Sequence, residues 1–277
     1  MVSAHQAPNQ ASNQASCRRA CEFNKFQMVM ARLMREPGIL LAGHSHLNAL
    51  AGARHAINPE IRKLEGYKNF FVLDGPWPRD DPYWETMTAG TPDYDLALIW
   101  GGNEHNSLYF FEDAFKFDLY STRVGRMLPG LQLISTLQVK RRFRNLTIDD
   151  LTSNLAKRAG STARRIFLIG TPPPKKDNAE LESFLPMEPN FQQWAAQINA
   201  DRIKITDPFV RLKLWYILQD VFAEEAAKVG GTFVPVPDDV RDGEGFLRRE
   251  YWADDITHAN ALYGKIVLDH LARVLPS

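Results

Sequence analysis

Gly43-His44-Ser45-His46 follows the apolar run of residues 38–42, and near the far end of the chain Asp255 and His258 stand three apart before a helical pattern. Between them, Asp74-Gly75 and Gly101-Gly102-Asn103-Glu104-His105 each come directly after an apolar run. A serine hydroxyl is a weak nucleophile until a base takes its proton. Histidine does so at neutral pH, and a carboxylate fixes its tautomer and stabilises the imidazolium. The tetrahedral oxyanion then needs donors where charge develops, each worth about 2.7–4 kcal/mol. The N–H groups of Ser45 and Gly75 and the Asn103 amide could supply three. These residue types together read as acyl-transfer chemistry.

Such chemistry requires that distant segments meet, so the elements matter. "ILLAG", "NFFVLDG" (69–75), "YDLALIWGG" (94–102), "RRIFLIGTPPP" (164–174) and "GTFVPVP" (231–237) read as five short buried strands. Helical patterns follow: "HLNALAGARHAI" after the first strand, a long one over about 121–159, then 207–230 and 258–275. Buried strands alternating with amphipathic helices predict an α/β fold: a three-layer α/β/α sandwich on a central, mainly parallel, five-stranded sheet. In such a sheet the strand ends bearing Ser45, Gly75 and Asn103 share one edge, where open α/β sheets bind ligands.

The chain has 277 residues, with 33 basic and 33 acidic side chains and 44% hydrophobic content. No global field directs it to nucleic acid or to a membrane, and no apolar stretch approaches the roughly 20 residues of a span. Cys17 and Cys21 are too few for a disulfide framework or a complete zinc site. Residues 1–25 read as disordered, and the absence of an apolar h-region predicts a cytoplasmic protein. Residues 26–277 read as one domain, opening on a helix that carries Phe26, Met30, Leu33 and Met34 and stops at Pro37-Gly38. Two stretches break the alternation, near 106–120, rich in aromatic residues, and near 175–206. Both start at C-terminal strand ends and are candidate substrate walls. "KRRFR" (140–144) reads as a solvated helix face or a patch for anionic groups.

A metal reading of the histidines competes. "GHSH" and "GNEH" are similar to two motifs of calcineurin-like metallophosphoesterases. Their order here is reversed, the opening Asp-x-His is absent, and the carboxylate that bridges two ions is missing. Plainer roles also exist: Ser45 or Asp255 as a helix cap, Asn103 as a turn residue, His258 as a structural histidine.

From about residue 38 to 275 the sequence resembles the SGNH hydrolases of the GDSL lipase/esterase superfamily. "ILLAGHSH" is similar to the block that carries the nucleophile, "FVLDG" to the second, "IWGGNEHN" to the Gly-x-Asn block, and "DDITHANALYG" to the Asp-x-x-His block. The resemblance implies Ser45 as nucleophile, His258 as base, Asp255 as its orienter, and Ser45, Gly75 and Asn103 as the oxyanion hole, with Gly66 as an alternative to Gly75. It implies no cofactor. His44 stands where the family usually has Asp, and His46 where it usually has a small or apolar residue. Together with Glu104 and His105 they are candidate pocket residues of a divergent member. The expected activity is hydrolysis of short acyl esters, acetyl first, of a small-molecule or carbohydrate alcohol. The alternatives are an O-acyltransferase acting on a carbohydrate and a catalytically silent SGNH-fold binding module. Oligomeric state is not legible.

Overall fold

A computed structural model describes residues 38–52, 56–88, 94–101, 103–112, 116–145, 165–189, 191–193 and 204–275. The expected N-terminal segment, the helix at 26–34, Cys17 and Cys21 lie outside these residues. Strands are β1 (Gly38–Gly43), β2 (Glu60–Lys63), β3 (Phe70–Asp74), β4 (Tyr94–Ile99), β5 (Phe117–Leu119), β6 (Gln132–Ile134), β7 (Ile166–Ile169) and β8 (Thr232–Val234). Helices are α1 (Leu47–Ala51), α2 (Asp81–Thr88), α3 (Glu104–Ser107), α4 (Thr136–Phe143), α5 (Asn178–Phe184), α6 (Pro208–Lys228) and α7 (Ala261–Val274).

The main sheet runs β2-β3-β1-β4-β7-β8. Every pairing in it is parallel except that of β2 with β3. The five expected strands are β1, β3, β4, β7 and β8, but among the described residues the sheet has six. The extra strand, β2, has the sequence Glu-Ile-Arg-Lys with no residue fully buried. It is an edge strand, wetted along its length, so it lacks the apolar run by which buried strands are recognised. Arg62 on β2 reaches Asp74 at 2.6 Å, a fully buried carboxylate at the end of β3.

Two apolar layers cover the sheet. Leu40, Leu96, Leu98 and Leu168 face Tyr83, Trp100, Leu214 and Phe222. Ile39, Leu41, Val72 and Ala97 face Leu47, Leu50, Tyr263, Val267 and Leu271. Alternate residues of one strand thus feed opposite layers, as the two-residue period of a strand requires.

The long helix expected over about 121–159 is not formed across its described part. Residues 132–134 make β6, which pairs in parallel with β5 in a separate two-stranded sheet, and only Thr136–Phe143 is helical before 144. The turn at 129–130 is the reason: Pro129 resists a helix interior and Gly130 takes φ 75°. The rest of that range, from 146 on, lies outside the described residues. The basic run lies on α4 and partly faces α6. Lys140 pairs with Glu224 at 2.6 Å, and Arg144 pairs with Glu225 at 3.0 Å and with Glu224. Much of its charge is therefore answered within the fold, while Arg141 and Arg142 are exposed.

Both irregular stretches pack on each other. Phe111 bridges Ile205, Thr206 N donates to the Phe110 carbonyl at 2.7 Å, and the Thr206 hydroxyl donates to the Tyr109 carbonyl at 2.6 Å. Around this seam Phe110, Phe111, Leu181, Ile205 and Ile256 form a third small core. Below it, Lys213 on α6 and Asp118 on β5 pair at 2.7 Å with both side chains fully buried. Asp118 also accepts from the Leu119 and Leu128 N–H groups, which satisfies the remaining lone pairs. Among the described residues no helix is long and apolar enough to cross a membrane.

Candidate active site

The sheet has one topological switch point. From β1 the chain moves outward to β3 and then returns to the other side of β1 as β4. The crevice beyond the C-terminal ends of β1, β3 and β4 is where such sheets take ligands. Ser45 lies two residues past β1, Gly75 one past β3, and Asn103 four past β4. Gly66 takes φ 81° before β3 begins, at the opposite edge of the sheet.

Backbone geometry at the end of β1 is tight. Gly43 has φ 143°, and a Cβ there would overlap the Ile99 carbonyl of β4. Only glycine fits such a position. Its N–H donates to the Tyr83 hydroxyl at 2.8 Å, and that hydroxyl can donate back to the Gly43 carbonyl at 3.2 Å. Burial pushes the Tyr83 phenol up to about 12, so it stays protonated. Gly75 is constrained by the same ring. A Cβ at Gly75 would sit 2.6 Å from the Tyr83 ring. Arg79 completes the clamp, donating to the carbonyls of Gly43 at 3.1 Å and Gly75 at 2.7 Å.

His44 fastens β1 to the loop that carries Asn103. Its N–H donates to the Ile99 carbonyl at 2.9 Å, and its Nδ1 accepts from Gly101 N at 3.1 Å. That bond leaves the ring proton on Nε2. The ring packs between Trp84 and Trp100, at 5.2 and 4.8 Å. Burial, aided by the Arg79 charge, lowers its pKa to about 4, so it is neutral. His44 thus staples β1 to the loop that carries Asn103.

Ser45 is half-buried and does not cap α1. The cap position belongs to His46, which makes no side-chain capping bond. His46 is fully buried with its ring centroid 5.1 Å from that of His258. Burial first, then the neighbouring His258 and His105 imidazoles, lower the His46 pKa to about 3. Asn103 precedes α3 with φ −104°, so it is not a left-handed turn residue, and its side chain makes no capping bond. Its Oδ1 is buried without a hydrogen-bond partner among the described residues. Glu104 and His105 are buried in α3.

On the other side, α7 packs against α1. A Cβ at Gly264 would overlap the Ala49 carbonyl, so the two helices touch backbone to backbone there. Asn260, not Asp255, caps α7, accepting from the Leu262 and Tyr263 N–H groups. Asp255 is free for other work. Its Oδ2 lies 2.8 Å from His258 Nδ1, and its Oδ1 accepts from His258 N at 2.6 Å and Thr257 N at 2.8 Å. Burial alone would raise the Asp255 pKa; its hydrogen bonds to His258 and the nearby charges of His258 and Lys175 outweigh it and hold the carboxyl well below the usual range. The opposite nitrogen, His258 Nε2, is buried with no partner among the described residues. An imidazole held by a carboxylate at Nδ1 and unengaged at Nε2 is arranged to accept a proton.

The aromatic stretch divides. Phe110 and Phe111 are core residues, and Tyr120 is exposed. Tyr109 and Phe117 line a separate cavity of about 230 Å³ with Leu131, Ile134, Arg142 and Val210. Phe115 lies outside the described residues. Arg79, Tyr83 and Lys175 were not foreseen. The only sequence signal for them is position: each follows a buried strand on the C-terminal side, in "GPWPRDDPY" and "GTPPPKK". Among the described residues no group of three or more His, Cys, Asp or Glu side chains is arranged to hold a metal ion.

No family model matches the sequence, and no curated protein matches it. Several solved structures are similar at low identity. A phospholipase A1 from Streptomyces albidoflavus is 14% identical, with 86% of this chain and 98% of that one covered and a TM-score of 0.45. An aryl esterase from M. smegmatis is 13% identical, covering 86% and 97%, at 0.41. An acetylxylan esterase from Geobacillus stearothermophilus is 11% identical, covering 87% and 95%, at 0.42.

Proposed function

We propose that this protein is a serine ester hydrolase of the SGNH type, acting on short acyl esters with acetyl first. The observation that carries the reading is the Asp255–His258 pair, bonded at 2.8 Å, whose free Nε2 is on an imidazole packed against the residue next to Ser45. In this reading Ser45 Oγ attacks the ester carbonyl carbon as its proton passes to His258 Nε2. The Ser45 and Gly75 N–H groups and the Asn103 amide receive the oxyanion. The intermediate collapses, and the departing alkoxide takes the proton from His258. Water then attacks the acyl-serine by the same route and releases the acid. His44 and His46, both held neutral, flank Ser45 in sequence without competing for its proton at neutral pH. The short-acyl preference is supported by the small Ala42 and by the buried His46 and Leu47, which flank Ser45 in sequence.

The test is labelling with a fluorophosphonate and location of the adduct by mass spectrometry, alongside Ser45→Ala kinetics on a chromogenic acetate. The adduct is expected on Ser45, with activity lost and the melting temperature kept. Acetyl, butyryl and octanoyl esters of the same alcohol should show a specificity constant that falls with length. Near-wild-type activity in Ser45→Ala would end the proposal, and a constant rising with chain length would end its acyl preference.

A further inference from the structure

Lys175 follows the three prolines after β7 and is only 2% exposed, although it carries no fully buried counter-ion. Its Nζ donates to the carbonyl of Ala253 at 2.7 Å and to the carbonyl of Asp255. It also lies 3.6 Å from Asp255 Oδ1. The rings of Phe184 and Trp252 flank the ammonium, each 5.6 Å from Nζ. Each of these contacts but Phe184 belongs to the turn that carries Asp255 or to the residue just before it. Burying an ammonium is costly unless its hydrogen bonds are met, so a sequence that keeps it there holds this turn in one shape. Resting on the esterase reading above, we propose that Lys175 is a positioning residue for the Asp255–His258 pair: it fixes the 253–255 turn through two carbonyls and orients the Asp255 carboxylate from behind.

The chemistry follows from the two oxygens of Asp255. Oδ2 holds His258 Nδ1, and Oδ1 is held by two N–H groups with the Lys175 charge beyond them. Without the ammonium the turn loses a cross-link and the carboxylate can rotate. The groups facing Lys175 are Asp255, Arg249 and Asp254, and burial lowers its pKa to about 8. The ammonium is therefore present at neutral pH and is lost from the fold just above it.

Lys175→Met is compared with wild type on a short activated acetate, with the serine label run in parallel. The expected result is a fall in kcat of tenfold or more with KM changed less than threefold. In an Asp255→Asn background the same substitution should cost less than threefold, because its effect passes through that carboxylate. A folded Lys175→Met with near-wild-type kcat overturns the proposal, and so does an equal loss in both backgrounds. If Lys175→Met does not fold, the pH profile decides. A fall in kcat near pH 8 that moves upward in Lys175→Arg supports the role, and identical profiles for the two proteins overturn it. A label found on a residue other than Ser45 would instead sink the underlying esterase reading, whatever Lys175 does.

Discussion

Asn103 separates a rate effect from a stability effect. Its side chain forms no helix cap, so truncating it removes little that holds the fold. Its amide is assigned to the oxyanion, where one donor is worth about 2.7–4 kcal/mol of transition-state energy. Asn103→Ala should therefore lower kcat about 10²–10³-fold, leave KM within a few-fold, and keep the urea midpoint. Steady-state kinetics beside an unfolding curve check it; a loss carried in KM would mean a binding role. At this scale the sequence was informative where chemistry restricts residue type. The contact of Asp255 with His258 was readable from type and spacing, and the placement of Ser45 and Asn103 beyond C-terminal strand ends from the order of the apolar runs. Gly75 was readable in position but not in cause, since its constraint comes from Tyr83, eight residues on and in another element. The bond of His44 to Gly101 N was not legible, because nothing local reveals that this N–H will donate to it.

Between elements, α1, which begins two residues after Ser45, touches α7, which begins three residues after His258. Two effects oppose each other at Gly264. Alanine in a helix interior gains about 1 kcal/mol over glycine. Its methyl would overlap the Ala49 carbonyl, and overpacking costs about 1–3 kcal/mol. The neighbour here is backbone and cannot swing aside, so the clash wins. Gly264→Ala should lower stability by about 1–2 kcal/mol and reduce kcat as His258 is pushed from Ser45. A higher urea midpoint would contradict that close approach. Elements rich in apolar residues were legible: β1, β3, β4, β7 and β8 as short apolar runs, α6 as a long stretch buried on most of its sides, and α7 by its apolar face. Those that owe their form to partners were not. β2 is polar and exists by pairing with β3, and β5 and β6 are three residues each, held by one another.

For the molecule as a whole, the imidazoles near Ser45 set its response to acid. Unfolded, His44 and His46 protonate near pH 6.5. Folded, they resist down to about 4 and about 3. Across that window the unfolded chain binds more protons, so stability must fall as pH drops below about 6.5, by up to about 1.4 kcal/mol per pH unit for each histidine. Asp255 adds a second loss at lower pH, as its depressed carboxyl is finally protonated. Urea midpoints at pH 7 and pH 5 should differ clearly, and His46→Leu should show a smaller drop. Equal midpoints would mean that these rings are not held neutral.

The seam between the two irregular stretches has a consequence for engineering. Phe111 and Ile205 share a bridge, and Thr206 is bonded to the backbone of both Tyr109 and Phe110. Neither stretch can then be exchanged alone with that of another α/β protein without stranding the other's backbone bonds. The workable graft is both together, with Ile256 kept beneath them, and the replaceable module of this scaffold is discontinuous in sequence.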